Sequence, residues 1–203
     1  MSGQPAEIFD QALRQPDQRS CGATVLVVAR MLLDDSYAEF IASGRHPRSG
    51  FALPGSVAAR FRYEVLDMHR RVTGFVDVSG ALQVPWPRAI GTPPWAVAHQ
   101  LSGTGTEERP ARHHSTHVVL DRGPAYDAVV AATADRRPVP VYVGSRGLPR
   151  HVVLAIGEVR GSLRFYDPAS GLLSDVERGA FESAELGLSG WDRPWFVVLP
   201  DST

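Results

Sequence analysis

The sequence predicts an α+β fold, helices first and an antiparallel sheet last, and three observations carry that expectation. Residues 21 to 33 form a segment too long for a strand and apolar almost all round apart from Arg30, the pattern of a helix buried at the centre of a fold. In the middle third the apolar residues Val57, Phe61, Val65 and Met68 recur at helical spacing. From Thr116 onward the period changes, and short runs rich in valine and aromatic residues alternate with turn formers.

Taken in order, Ala6 to Arg14 has a weak helical pattern through Ile8 and Leu13, and Gln15-Pro16-Asp17-Gln18-Arg19-Ser20 is a polar, turn-prone lead-in to the Cys21 helix. Ser36 to Ser43 continues as a short helix, and Gly44 to Gly50 is a loop by its glycines, proline and charges. Ser56 is placed to cap a helix running to about Arg71. Thr92 is the N-cap candidate for a helix with proline in its first turn that ends near Gly103, and Ser102 to His114 reads as a long surface loop. Strands are expected over Thr116 to Asp121, Val139 to Val143, His151 to Val159, Leu163 to Asp167 and Trp195 to Leu199, with a helix from Pro124 to Ala134. There is no internal repeat and no low-complexity segment.

With 203 residues, 43% hydrophobic content and a formal charge of −1, the chain suits one well-buried domain and is too balanced for a disordered tail or a polybasic binder. All 21 basic side chains are arginine and asparagine is absent as well, which excludes a P-loop lysine, a Schiff-base lysine, a Ser-Lys dyad and a Cys-His-Asn triad. The lone cysteine excludes an intrachain disulfide framework and any multi-cysteine zinc site. No basic n-region or apolar h-region opens the sequence, and the run Ala23 to Ala29, apolar but for Thr24, is too short to span a bilayer. A soluble, cytoplasmic protein is therefore expected, with neither a membrane nor nucleic acid as partner.

Cys21 heads the apolar helix, where the positive end of the helix dipole and unsatisfied backbone N–H groups favour a thiolate. His151 opens one strand and Asp167 closes the next, which supplies a base and an orienting acid in the order Cys, His, Asp. Gln15 lies six residues before Cys21, so its amide can aim at the same point as the Cys21 backbone N–H and form an oxyanion hole. An adjacent imidazole would take the thiol proton, and attack on a carbonyl would give an acyl-enzyme that water resolves. The turn near Val159 to Gly161 folds Asp167 back towards His151, but a one-residue slip in register would send the two to opposite faces.

The segments Gln15-Pro16-Asp17-Gln18-Arg19-Ser20-Cys21-Gly22-Ala23, Pro138-Val139-Pro140-Val141-Tyr142-Val143 leading to His151-Val152-Val153-Leu154-Ala155, and Phe165-Tyr166-Asp167-Pro168-Ala169-Ser170-Gly171 resemble the papain-like bacteriocin-processing (double-glycine leader) peptidases and their stand-alone relatives. The resemblance implies a single papain-like domain over 1–203, with the nucleophile at the start of a central buried helix and a mostly helical insertion at about 44–115. It implies a cysteine peptidase or amide hydrolase that needs no cofactor and acts on a peptide or protein. Cys21 would be the nucleophile, His151 the general base and then acid, Asp167 the group that orients His151, and Gln15 the oxyanion-hole donor. The same triad would serve a glutamine deamidase, transglutaminase or acyltransferase, exported effectors included. A catalytically silent relative would keep the fold and dock an extended peptide on a sheet edge.

Each residue also has a structural alternative. Cys21 suits a buried core thiol, His151 a strand-edge histidine satisfied by backbone, and Asp167 a turn residue capping Pro168 to Gly171. His113, His114 and His117 read as a solvated loop entering a strand in preference to a metal site, so no metal is expected. Trp86 and Trp95, among Pro85, Pro87, Pro93 and Pro94, are candidates to wall a substrate groove, with ordinary packing as the alternative. Arg60, Arg62, Arg70 and Arg71 are expected to face water, with Glu64 and Asp67 balancing the last two.

Overall fold

A computed structural model describes residues 9, 13–74, 92–103 and 112–201. It has helices α1 (Cys21–Leu33), α2 (Asp35–Ser43), α3 (Val57–Val72), α4 (Pro94–Ser102), α5 (Arg122–Ala134) and α6 (Arg178–Ser183). Strands β1 (His113–His117), β2 (Val139–Gly144), β3 (Pro149–Val159), β4 (Ser162–Asp167), β5 (Leu172–Glu177) and β6 (Arg193–Pro200) form one sheet in the order β1-β6-β2-β3-β4-β5. Every pairing is antiparallel. The α+β class is as expected from the sequence. Most of the Ala6 to Arg14 helix lies outside the described residues.

The sheet is covered on both faces, which explains why β2 and β3 read as nearly continuous apolar runs. Val152, Leu154, Tyr166 and Tyr142 join the core formed with α1, α2, α3 and α4, while Val153, Ala155, Phe165 and Val141 join a second core under α5 and α6. Helix α1 sits at the centre of the first core with Ala23 and Val25 to Ala29 all within 2% of full burial. That environment is what its all-round apolar character requires.

Ser56 caps α3 through a 3.2 Å bond from the Ala59 N–H, as expected. Arg60 corrects the expectation that the arginines of this helix face water: it is 6% exposed and donates to the carbonyls of Ile41 at 2.7 Å, Ala42 at 2.5 Å and Gly55. It satisfies carbonyls left open at the end of α2, a use of arginine that helical periodicity does not reveal. Arg70 and Arg71 are exposed and both pair with Asp67, at 3.0 and 2.6 Å. Glu64 instead accepts the Tyr37 hydroxyl at 2.7 Å.

Other boundaries also move. The first strand covers His113–His117 and not Thr116 to Asp121, because its partner on β6, Phe196 to Pro200, runs alongside the histidine-rich segment and leaves Leu120 90% exposed. Long-range pairing here overrides local β propensity. The N-cap of α4 is Pro93, so Thr92 does not cap it. Strand β5 and helix α6 are absent from the expected elements. As an outer strand β5 is mostly exposed, with charges at Asp175 and Glu177, and it is held by the two Arg164–Asp175 bonds of 2.7 Å across the pair.

One irregularity in β3 decides which face of the sheet Asp167 shares with its neighbours. The β3–β4 ladder starts at the hairpin as Val159↔Ser162, Glu158↔Leu163 and Gly157↔Arg164, then shifts to Ala155↔Phe165 and Leu154↔Tyr166, leaving Ile156 as an extra residue. Without the shift Asp167 would lie opposite Leu154, on the other face from His151. With it, Asp167 lies level with Val153, two residues from His151 on the same face.

Candidate active site

The loop before α1 is shaped by its own polar groups. Asp17 accepts the Arg19 N–H at 2.8 Å, and the Ser20 hydroxyl donates to the Asp17 carbonyl at 3.2 Å. The N-cap Ser20 makes no side-chain bond to the first turn, so the N–H groups beside Cys21 carry no side-chain cap. The same loop is fastened to the sheet: Gln15 N–H donates to the Pro168 carbonyl at 2.8 Å, and the Tyr166 hydroxyl donates to the Leu13 carbonyl at 2.5 Å.

Gly22 lets the Thr92 segment press against the start of α1. A Cβ at Gly22 would lie 2.6 Å from Thr92 Cβ and 2.9 Å from its Oγ1. The Thr92 carbonyl in turn accepts the Tyr142 hydroxyl at 2.9 Å. Burial pushes the Tyr142 phenol well above its usual range, with the charge of Cys21 adding to the effect.

On the sheet side, His151 Nε2 donates to Asp167 Oδ1 at 2.8 Å, and the two residues are 6% and 4% exposed. Asp167 Oδ1 also accepts the Ala169 N–H at 2.9 Å, and Oδ2 accepts the hydroxyl of Ser189. Burial works against the charged imidazole, but the hydrogen bonds to Asp167 and Cys21 and the charges of both raise His151 from 6.5 to about 9. Burial likewise works against the charge on Asp167, and bonds from His151, Ser189 and Ala169 outweigh it and lower the carboxyl below its ordinary range. With Nε2 taken by Asp167, Nδ1 is the ring nitrogen left open to Cys21.

Cys21, His151 and Asp167 therefore form one linked group. Gln15 joins the same neighbourhood through its backbone contact next to Asp167, and its Oε1 is buried with no hydrogen-bond partner among the described residues. The Asp167 turn reading also holds, since the Ala169 N–H bond closes the Pro168 to Gly171 turn while Oδ1 still reaches His151. Trp95 stands on α4 at 39% exposed, and Trp86 lies outside the described residues. His113, His114 and His117 fall on β1, where His114 pairs with Asp201 at 2.7 Å. Among the described residues no group of three or more His, Cys, Asp or Glu side chains is placed to hold a metal, and no helix is long and apolar enough to cross a membrane.

Sequence reasoning did not assign Thr92, Tyr142 or Ser189 to the site. A buried tyrosine within a valine run is a usable signal, because its hydroxyl needs a partner. Nothing local to Thr92 or Ser189 identifies their contacts.

No family model and no curated protein matches the chain. Among solved structures the chain is similar to the peptidase domain of Streptococcus ComA, a bi-functional ABC transporter involved in a quorum-sensing pathway. The identity is 14% and the TM-score 0.41, over 93% of this chain and 97% of that one.

Proposed function

We propose that the protein is a papain-like cysteine hydrolase of peptide or amide bonds. The observation that carries this reading is the buried His151–Asp167 pair, with Cys21 at the start of α1 acting on the same imidazole. Such an arrangement moves one proton along a defined line: from the sulfur to His151 Nδ1, leaving a thiolate beside an imidazolium whose other N–H is held by a carboxylate. The thiolate attacks the carbonyl carbon, and the carbonyl oxygen takes the negative charge. In this reading N–H groups at the start of α1, which carry no side-chain cap, and the buried Gln15 amide would receive that charge. The imidazolium then gives its proton to the leaving amine, and His151 activates the water that releases the acyl group from sulfur.

Asp167 keeps its charge throughout and fixes the tautomer of His151. The substrate in this reading is an extended peptide or protein segment, and no cofactor enters any step.

The test is the chemistry of the single thiol. Iodoacetamide at mildly acidic pH is expected to label Cys21 faster than a cysteine in an unstructured peptide, with the advantage lost in His151→Ala. Incubation with a mixture of unstructured peptides should generate new amino termini in the unmodified protein and none in Cys21→Ala. Slow labelling that is equal with and without His151 would identify a plain buried thiol and overturn the proposal.

A further inference from the structure

The two oxygens of Asp167 meet different partners. Oδ1 takes His151 Nε2 at 2.8 Å and the Ala169 N–H at 2.9 Å, while Oδ2 takes the Ser189 hydroxyl. Ser189 reaches it through an uncommon backbone. Leu188 and Trp191 exchange N–H···O bonds of 3.1 and 2.9 Å, so Ser189 and Gly190 are the two central residues of a tight turn, with φ of 49° and 79°. Both angles are positive, as in a type I′ turn, where asparagine, aspartate or glycine is the usual first residue. A serine there occupies the left-handed region at a cost that its turn does not require.

The turn is also held from behind. Leu186 and Leu188 are buried in the second core, and the Gly187 N–H donates to Asp192 Oδ1 at 3.1 Å. Ser189 itself is exposed at the tip, while its hydroxyl contacts Asp167.

We propose that Ser189 is a positioning residue of the site: its hydroxyl fixes the second oxygen of Asp167, so that the first stays against His151 Nε2 and the ring keeps one orientation towards Cys21. This rests on the reading of Cys21, His151 and Asp167 as a hydrolytic triad. The physical reason lies in the carboxylate, whose χ2 torsion is broad and nearly two-fold. Bonds on one oxygen leave it free to swing, and bonds on both do not. A hydroxyl donor also favours the ionised carboxylate, which is the form that supports an imidazolium. The titratable groups around the ring are Asp167 and Cys21, with Tyr142 beyond Cys21 and Tyr166 beside Asp167.

The experiment measures the rate of Cys21 alkylation by iodoacetamide against pH in the unmodified protein, Ser189→Ala, Ser189→Gly and His151→Ala. Glycine relieves the left-handed backbone, so Ser189→Gly is expected to melt no lower than the unmodified protein and keeps the test open if Ser189→Ala folds poorly. Both Ser189 variants are expected to lose about three- to tenfold in rate at mildly acidic pH, the scale of one lost hydrogen bond. Their alkaline limb, where the imidazolium is lost, should move to lower pH. A purely structural role for the turn would not shift that limb. Ser189 variants with the unmodified rate and pH profile, in a protein whose labelling does depend on His151, would overturn this inference and leave the triad standing. Labelling that ignores His151 would overturn the triad and the inference together.

Discussion

At Gly22 the absence of one methyl group decides how closely the Thr92 segment approaches the start of α1. Alanine has the higher helix propensity, by about 1 kcal/mol, but its Cβ would stand 2.6 Å from that of Thr92. Overpacking wins over propensity, and Gly22→Ala is expected to destabilise the fold by about 1 to 3 kcal/mol in denaturant unfolding. Because the clash is with one side chain, Gly22→Ala combined with Thr92→Gly should cost less than the two changes summed.

His151 gives a second expectation at this scale. Below 6.5 the imidazole is protonated whether or not the chain is folded, so its pairing with Asp167 stabilises in full. Between 6.5 and about 9 the unfolded chain sheds the proton and the folded one keeps it, so stability drains away as pH rises. The melting temperature should fall across that window, and His151→Gln should lack the slope. Cys21, His151 and Asp167 are legible in the sequence because each is a polar group bounding an apolar run. Ser189 is not legible, because its contact joins a turn to the end of β4, 22 positions away.

The elements were legible where periodicity and capping agree. Helix α1 has the bounds its apolar segment suggests, and α3 starts after the Ser56 cap. Where an element depends on its partner the pattern fails, as for β1, whose limits follow β6, and for β5, whose exposed face resembles a loop. The extra residue Ile156 belongs to this group too. It decides whether His151 and Asp167 share a face, and a bulge inside an apolar run leaves no mark in composition. The β3–β4 hairpin also carries a correctable strain: Arg160 and Gly161 form its two-residue turn with φ of 53° and 84°. Arg160→Asn, a residue better suited to that conformation, is expected to raise unfolding stability by about 0.5 to 1 kcal/mol without altering the alkylation rate of Cys21.

Across the whole molecule, two cores share one sheet, and the residues of the site come from both ends of the chain. The bond from the Tyr166 hydroxyl to the Leu13 carbonyl spans 153 positions and ties the Cys21 lead-in to the strand that ends in Asp167. Tyr166→Phe would leave that carbonyl buried without its donor. A loss of about 1 to 3 kcal/mol is expected, with faster amide hydrogen exchange around residues 13 to 20 as the local readout. This fastening also bears on how the protein is made. During synthesis Cys21 emerges well before His151, so until that strand follows the chain carries a thiol with no base beside it and an apolar helix with no sheet to cover it. Contacts this distant in sequence form slowly and last. On the triad reading, reactivity is then a property the chain acquires only when β3 and β4 close on α1, which protects neighbouring nascent proteins from a prematurely armed nucleophile.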